Sequence, residues 1–193
     1  MAEPARQLIL THAEYLAQEE ASGTKHEYLN GEAFAMAGGT VEHGALAANV
    51  IGELRAVVRE KACRVLTSDV RLHVEATGLT TYPDASVACP PIETAAEDPH
   101  AVVNPVVIVE VLSDSTEAYD RGEKFAHYRR IPSLRDYLLV SQHEQRIEHY
   151  TRNADGTWNL RDVLPPGSVK LSIGGELSAA EVYLGSAAPR AAP

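Results

Sequence analysis

The chain has 193 residues, 45% of them hydrophobic, and its 17 basic and 27 acidic side chains give a formal net charge of −10. A chain of this size and apolar content builds a core without needing metals or disulfides to hold it, and no run of about eighteen apolar residues is present to cross a bilayer. The acid excess argues against tight, non-specific binding of a polyanion, which usually shows a basic face. The opening MAEPARQLIL lacks the basic start and long apolar run of a signal peptide, so a soluble, cytoplasmic protein is expected. Cys63 and Cys89 have no metal-ligand spacing and sit in apolar stretches, so they read as buried free thiols, which suits a reducing compartment.

Thr11-His12-Ala13-Glu14 has the form of a capping box and opens a helix over residues 11–20. Asn30-Gly31 marks a hairpin turn within residues 26–36. Residues 41–62 form the clearest helix, with Leu46, Val50, Leu54, Val57 and Val58 on one stripe. Residues 64–74 read as a strand interrupted near Thr67-Ser68-Asp69, and residues 80–88 as a second strand. The run VVNPVVIVEVL at 102–112 is nearly all apolar, as a strand buried on both faces requires, with Pro105 near its start. Residues 120–130 read as a helix stopped by Pro132, residues 136–141 as another buried strand, and residues 146–173 as a meander. A short helix over 177–183 follows. The segment 106–140 makes a strand–helix–strand crossover with parallel strands. One α/β domain over residues 1–185, with a mixed central sheet flanked by helices, and a disordered Ala/Pro-rich tail over 186–193 complete the expected organisation.

Glu110 stands inside the apolar run VVIVEVL. A carboxylate there costs several kcal/mol unless paired, protonated or bound to a cation. Asp84 ends Tyr82-Pro83-Asp84 and opens the apolar run Ala85–Ala88. If the two strands pair, the acids converge, and a hard divalent cation relieves their repulsion. Lys124 follows Glu110 by 14 residues on the next helix, from which an ammonium reaches the same cluster and stabilises charge developing on phosphorus. Two acids, a cation and a lysine make a phosphodiester-hydrolysis site. Plainer readings stand beside this one. Glu110 pairs with a helix lysine such as Lys124, Asp84 is a turn acid after proline, and Lys124 lies on a solvated helix face.

The residues Pro83-Asp84, Glu110-Val111-Leu112-Ser113-Asp114-Ser115-Thr116, Asp120-Arg121-Gly122-Glu123-Lys124, Tyr128 and Asp136–Val140 resemble the Uma-two family of restriction endonucleases, within the PD-(D/E)XK nuclease superfamily. The resemblance runs from about Thr11 to Tyr183. It implies a restriction-endonuclease-like core, Mg²⁺ or Mn²⁺ as cofactor, Asp84 and Glu110 as metal ligands, and a homodimer. Leu112 stands where the superfamily motif places its lysine, and the resemblance assigns that role to Lys124. The segment Lys25–Glu32 resembles the family's acidic segment and makes Glu27 a further site candidate. His43, near the start of the long helix, is another; there a neutral imidazole is favoured and suits contact with a phosphate or water. Asp120 reads as a helix cap and Asp69 as structural. Ser113 and Ser115 have no nucleophile elbow, and the remaining histidines have no zinc spacing.

Two functions from different classes remain open. One is a metal-dependent endonuclease acting on DNA, with RNA or branched DNA as other substrates. The other is a catalytically inactive nuclease-fold dimer that serves as an interaction or nucleic-acid-binding module. The acid excess favours the second; the intact Asp84, Glu110, Lys124 set favours the first.

Overall fold

Asn30 and Gly31 take positive φ, 52° and 88°, as the two-residue hairpin turn matched to strand twist requires. They join β1 (His26–Leu29) to β2 (Glu32–Ala35) in the computed structural model, which describes residues 9–191. Ahead of the hairpin lies α1 (His12–Ala21), whose capping box is complete: Thr11 caps the Glu14 N–H and the Glu14 carboxylate accepts the Thr11 N–H at 2.8 Å. Behind it, α2 (Val41–Val58) buries Leu46, Val50, Leu54 and Val58, the stripe its sequence spacing predicts.

Seven strands follow: β3 (Arg64–Thr67), β4 (Arg71–Val74), β5 (Leu79–Thr81), β6 (Ala85–Ala88), β7 (Thr94–Ala95), β8 (Asp98–Val102) and β9 (Pro105–Val111). A helical stretch comes next, made of α3 (Glu117–Tyr119), a π-helical turn (Asp120–Lys124) and α4 (Phe125–Tyr128). Strands β10 (Asp136–Val140), β11 (Ile147–Arg152), β12 (Trp158–Val163), β13 (Ser168–Lys170) and β14 (Glu176–Ser178) and the short helix α5 (Ala179–Val182) complete the chain.

Two six-stranded sheets result, ordered β2-β1-β5-β4-β8-β7 and β12-β11-β10-β9-β6-β3, with β13-β14 as a small third. In the second sheet β9 and β10 run parallel, Val107 opposite Asp136 and Val111 opposite Val140, so the expected crossover forms around the helical stretch. Their neighbours β6 and β11 are antiparallel, which makes the sheet mixed, as the fold class requires. One face packs Val87, Val107 and Val109 against α2 and α5. The other packs Ile108, Tyr137 and Leu139 against Tyr128 and against Leu72 and Leu79 of the first sheet.

Residues 80–88 are not one strand. Tyr82-Pro83-Asp84 breaks them, because proline has no N–H for a ladder, and β5 joins the first sheet while β6 joins the second. The interruption after Thr67 does the same to β3 and β4. The described chain thus passes five times between the two sheets, and Asp84 stands at the crossing from β5 to β6.

Two further expectations are corrected. Cys63 and Cys89 form a disulfide, with Cα atoms 4.0 Å apart, instead of two free thiols. Arg64 pairs with Ala88 across β3 and β6, so the cysteines face each other one step beyond the ladder's end. With them goes the premise that suggested a reducing compartment. The Ala/Pro-rich segment from Ser186 is anchored, at least through Pro189. Glu42 accepts from Ser186 Oγ and from Ala187 N (3.1 Å), Gln145 bonds the Ala188 and Pro189 carbonyls, and Ala188 is buried. Residues 192–193 lie outside the described part.

Candidate active site

The antiparallel register of β6 on β9 sets Ala85 opposite Val109. One step further, Asp84 and Glu110 meet at the end of the pair. Glu110 is 4% exposed, and Asp84 retains more solvent contact, with its side chain 18% exposed. The Asp84 carboxylate is oriented by the fold: its Oδ2 accepts the Val111 N–H at 2.7 Å and lies 3.3 Å from His43 Nε2 on the first turn of α2.

Lys124 reaches the same place from below the sheet. Its Nζ lies 3.0 Å from Glu110 Oε1, 2.9 Å from Glu27 Oε1 and 3.5 Å from Asp120 Oδ1. The π-helical turn that contains Asp120 and Lys124 buries both. Such wide turns recur at functional sites. Tyr128 Oη donates to Glu110 Oε1 at 2.7 Å, and Thr81 Oγ1 donates to Glu27 Oε1. Glu27 arrives from β1 of the first sheet, in which Tyr28 pairs with Thr80. The site therefore sits at the seam of the two sheets, closed on one side by the helical stretch.

Three acids surround one buried ammonium. Burial pushes the Glu110 carboxyl up to about 8, against the pull of Lys124, and it also raises Asp120. Burial alone favours a neutral Lys124, but Glu110, Glu27 and Asp120 together outweigh it and hold the amine protonated. His43 is raised, first by its bond to Asp84, so the helix-start argument for a neutral imidazole is overturned by the carboxylate facing it.

The donor set suits a hard cation. Asp84 Oδ1 and Glu110 Oε2 accept no hydrogen bond among the described residues, and each belongs to a carboxylate whose other oxygen is fixed. Among the same residues no three His, Cys, Asp or Glu side chains form a ready-made cage. Mg²⁺ is commonly held by one or two carboxylates, with waters and substrate phosphate supplying its remaining ligands.

Residues 12–177 match the profile of the Uma2 (Uma-two) family, described as "Putative restriction endonuclease". The chain belongs to the Uma2 family. Two uncharacterized proteins of Synechocystis sp. are 36% identical to it: sll1609 over 81% of this chain and 88% of its own length, and slr1290 over 92% and 93%. A crystal structure from Anabaena variabilis, described as a putative nuclease, shares the fold with a TM-score of 0.71 at 18% identity, covering 89% of this chain and 96% of that one.

Within this Uma2 chain the four expected site residues fall together: Lys124 touches Glu110 and Glu27, and Asp84 adjoins Glu110 on the neighbouring strand. The plainer reading of Glu110 as the ion-pair partner of Lys124 is also realised. In contrast, Asp120 is not the N-terminal cap of its helical stretch, which begins three residues earlier, and its carboxylate is buried beside Lys124. Asp69 is exposed and paired with Lys25 at 2.7 Å. Sequence reasoning missed Thr81, Tyr128 and the inward position of Asp120. Asp120, Lys124 and Tyr128 fall at i, i+4 and i+8, one face of a helix. That polar stripe next to Phe125 was the available signal for two of them.

Proposed function

We propose that the protein is a Mg²⁺- or Mn²⁺-dependent endonuclease that hydrolyses phosphodiester bonds, with DNA as substrate. The observation that carries this reading is the pair of carboxylates, Asp84 and Glu110, side by side on β6 and β9 next to a buried ammonium. Membership of a family described as "Putative restriction endonuclease", and the fold shared with a structure described as a "putative nuclease", support it.

Asp84 and Glu110 are the metal ligands. A divalent cation bound there supplies Lewis acidity to a phosphate oxygen and an ionised water at neutral pH. The Val111 N–H and His43 hold Asp84 with its second oxygen free, and Tyr128 does the same for Glu110. Lys124 stays protonated, orients Glu110 and Glu27, and places positive charge where negative charge develops on phosphorus. Glu27 completes the ammonium's coordination from the other sheet.

The test is to incubate the purified protein with Mg²⁺ or Mn²⁺ and plasmid, single-stranded DNA, branched DNA or RNA. Cleavage of DNA that is abolished in Asp84→Ala and Glu110→Ala is the expected result. If no substrate is cut by the wild type in either metal, the reading fails and an inactive nuclease-fold module takes its place.

A further inference from the structure

Four of the chain's basic side chains line one groove on the flank of α2. Arg55 lies on α2, Arg59 caps its C-terminus one turn further on, Lys61 follows, and Arg64 opens β3; the groove encloses about 630 Å³, and no acid lines it. All four side chains are exposed. None makes an ion pair among the described residues, and Lys61 Nζ donates only to the Val57 carbonyl at 3.0 Å. Glu60 lies among them in sequence but not in the lining. In a chain of net charge −10, four unpaired cations lining one groove with no acid in its wall repel one another, and a polyanion is a partner that offsets this.

We infer that this groove binds the phosphate backbone of duplex DNA and holds the substrate across the Asp84–Glu110 site, independently of base sequence. The inference rests on the nuclease reading for the identity of the polyanion. Its geometry follows from the strands. Arg64 pairs with Ala88 on β6, the strand that Asp84 opens, four residues and therefore about 13 Å along the strand at about 3.3 Å per residue. Arg59 lies 16 residues from His43 along α2, about 24 Å at the helical rise of about 1.5 Å. A duplex presents a phosphate about every 1.7 Å of its axis, so a short duplex laid along these elements is long enough to reach from the site to the groove. The acidic whole and the basic groove then have separate effects: the body repels DNA, and this flank sets where it lands.

Because β3 is an edge strand of its sheet, Arg64 on it and the cations beside it also suit a different role, that of keeping two copies from pairing edge to edge. The experiment separates the two. Fluorescence anisotropy of a labelled 25-base-pair duplex is measured in EDTA, so that no cleavage occurs, across a salt series. The proteins are the wild type, the triple variant R55A/R59A/R64A, and the control R129A/R130A, with thermal melts to confirm folding. The triple variant is expected to bind at least tenfold more weakly at low salt. The slope of log affinity against log salt should fall by about 2.7, three contacts at about 0.9 each. The control should bind as the wild type does. Equal binding by the folded triple variant and the wild type overturns the inference, and doing so with new self-association assigns the cations to edge protection. Binding by the wild type is read without metal, so failure here is distinct from failure to cleave: an enzyme that cuts DNA with an unchanged triple variant keeps its function and loses this surface.

Discussion

At the scale of single residues, Lys124 has most to lose. Its ammonium offsets Glu27, Glu110 and Asp120 in a site where both Lys124 and Glu110 are almost fully buried. Removing one partner of a buried pair leaves uncompensated charge and costs about 3–5 kcal/mol. Lys124→Ala is therefore expected to lose about that much stability in urea denaturation, and Glu110→Gln in the same chain to recover part of it. A loss below about 1 kcal/mol would mark Lys124 as an ordinary surface lysine. Glu110 was legible in the sequence because a charge inside VVIVEVL has to be explained. Glu27 was legible only through resemblance, since nothing in its neighbours reveals that β1 abuts β5 beside the site. Thr81 was not legible, because a hydroxyl in an apolar strand reads as packing until its partner is in view, and Tyr128 was legible only as part of the polar stripe it shares with Asp120 and Lys124.

At the scale of elements, local signals carried the Thr11 capping box, the Asn30-Gly31 turn and the parallel β9–β10 pair. What they did not carry was the change of sheet at Tyr82-Pro83-Asp84, which is a property of two separate ladders and not of the tripeptide. The disulfide was lost for the same reason: Cys63 and Cys89 are 26 residues apart and face each other only once β3 pairs with β6. Closing a loop of that length removes denatured-state entropy worth about 3.5 kcal/mol. Cys63→Ser with Cys89→Ser should lower the urea stability by about that amount, and reductant should do the same to the wild type; no change with reductant would contradict the bridge. The first sheet has its own tie, from Arg71 on β4 to Asp98 on β8, with bonds of 2.6 and 2.9 Å. Burial raises the Asp98 carboxyl, but Arg71 and the His100 N–H outweigh it and hold it below its ordinary 3.8. A depressed carboxyl contributes stability that is fully present above the unfolded pKa and is lost as pH falls through the lower folded value. The difference in urea midpoint between wild type and Asp98→Asn should thus be constant above about pH 4 and shrink below it. A difference that grows on acidification would reverse the sign.

At the scale of the whole molecule, the fold brings two sheets to one seam and places on it a pair of carboxylates, a buried lysine and a third acid from the other sheet. The fold class was readable from the alternation of apolar strands and amphipathic helices, and the family from the string that begins at Glu110. The division into two six-stranded sheets was not, because the first sheet's strands of two to five residues leave little periodicity to follow. Net charge told only part of the story: an average of −10 conceals a flank that carries Arg55, Arg59, Lys61 and Arg64. The central claim is that Asp84 and Glu110 together hold a divalent cation, and it is tested most directly by titrating Mn²⁺ into the protein by calorimetry and paramagnetic resonance. The wild type is expected to bind one ion per chain, with binding lost in both Asp84→Ala and Glu110→Ala while their melting transitions remain cooperative. Absence of binding by the wild type, or undiminished binding by either folded variant, would contradict it.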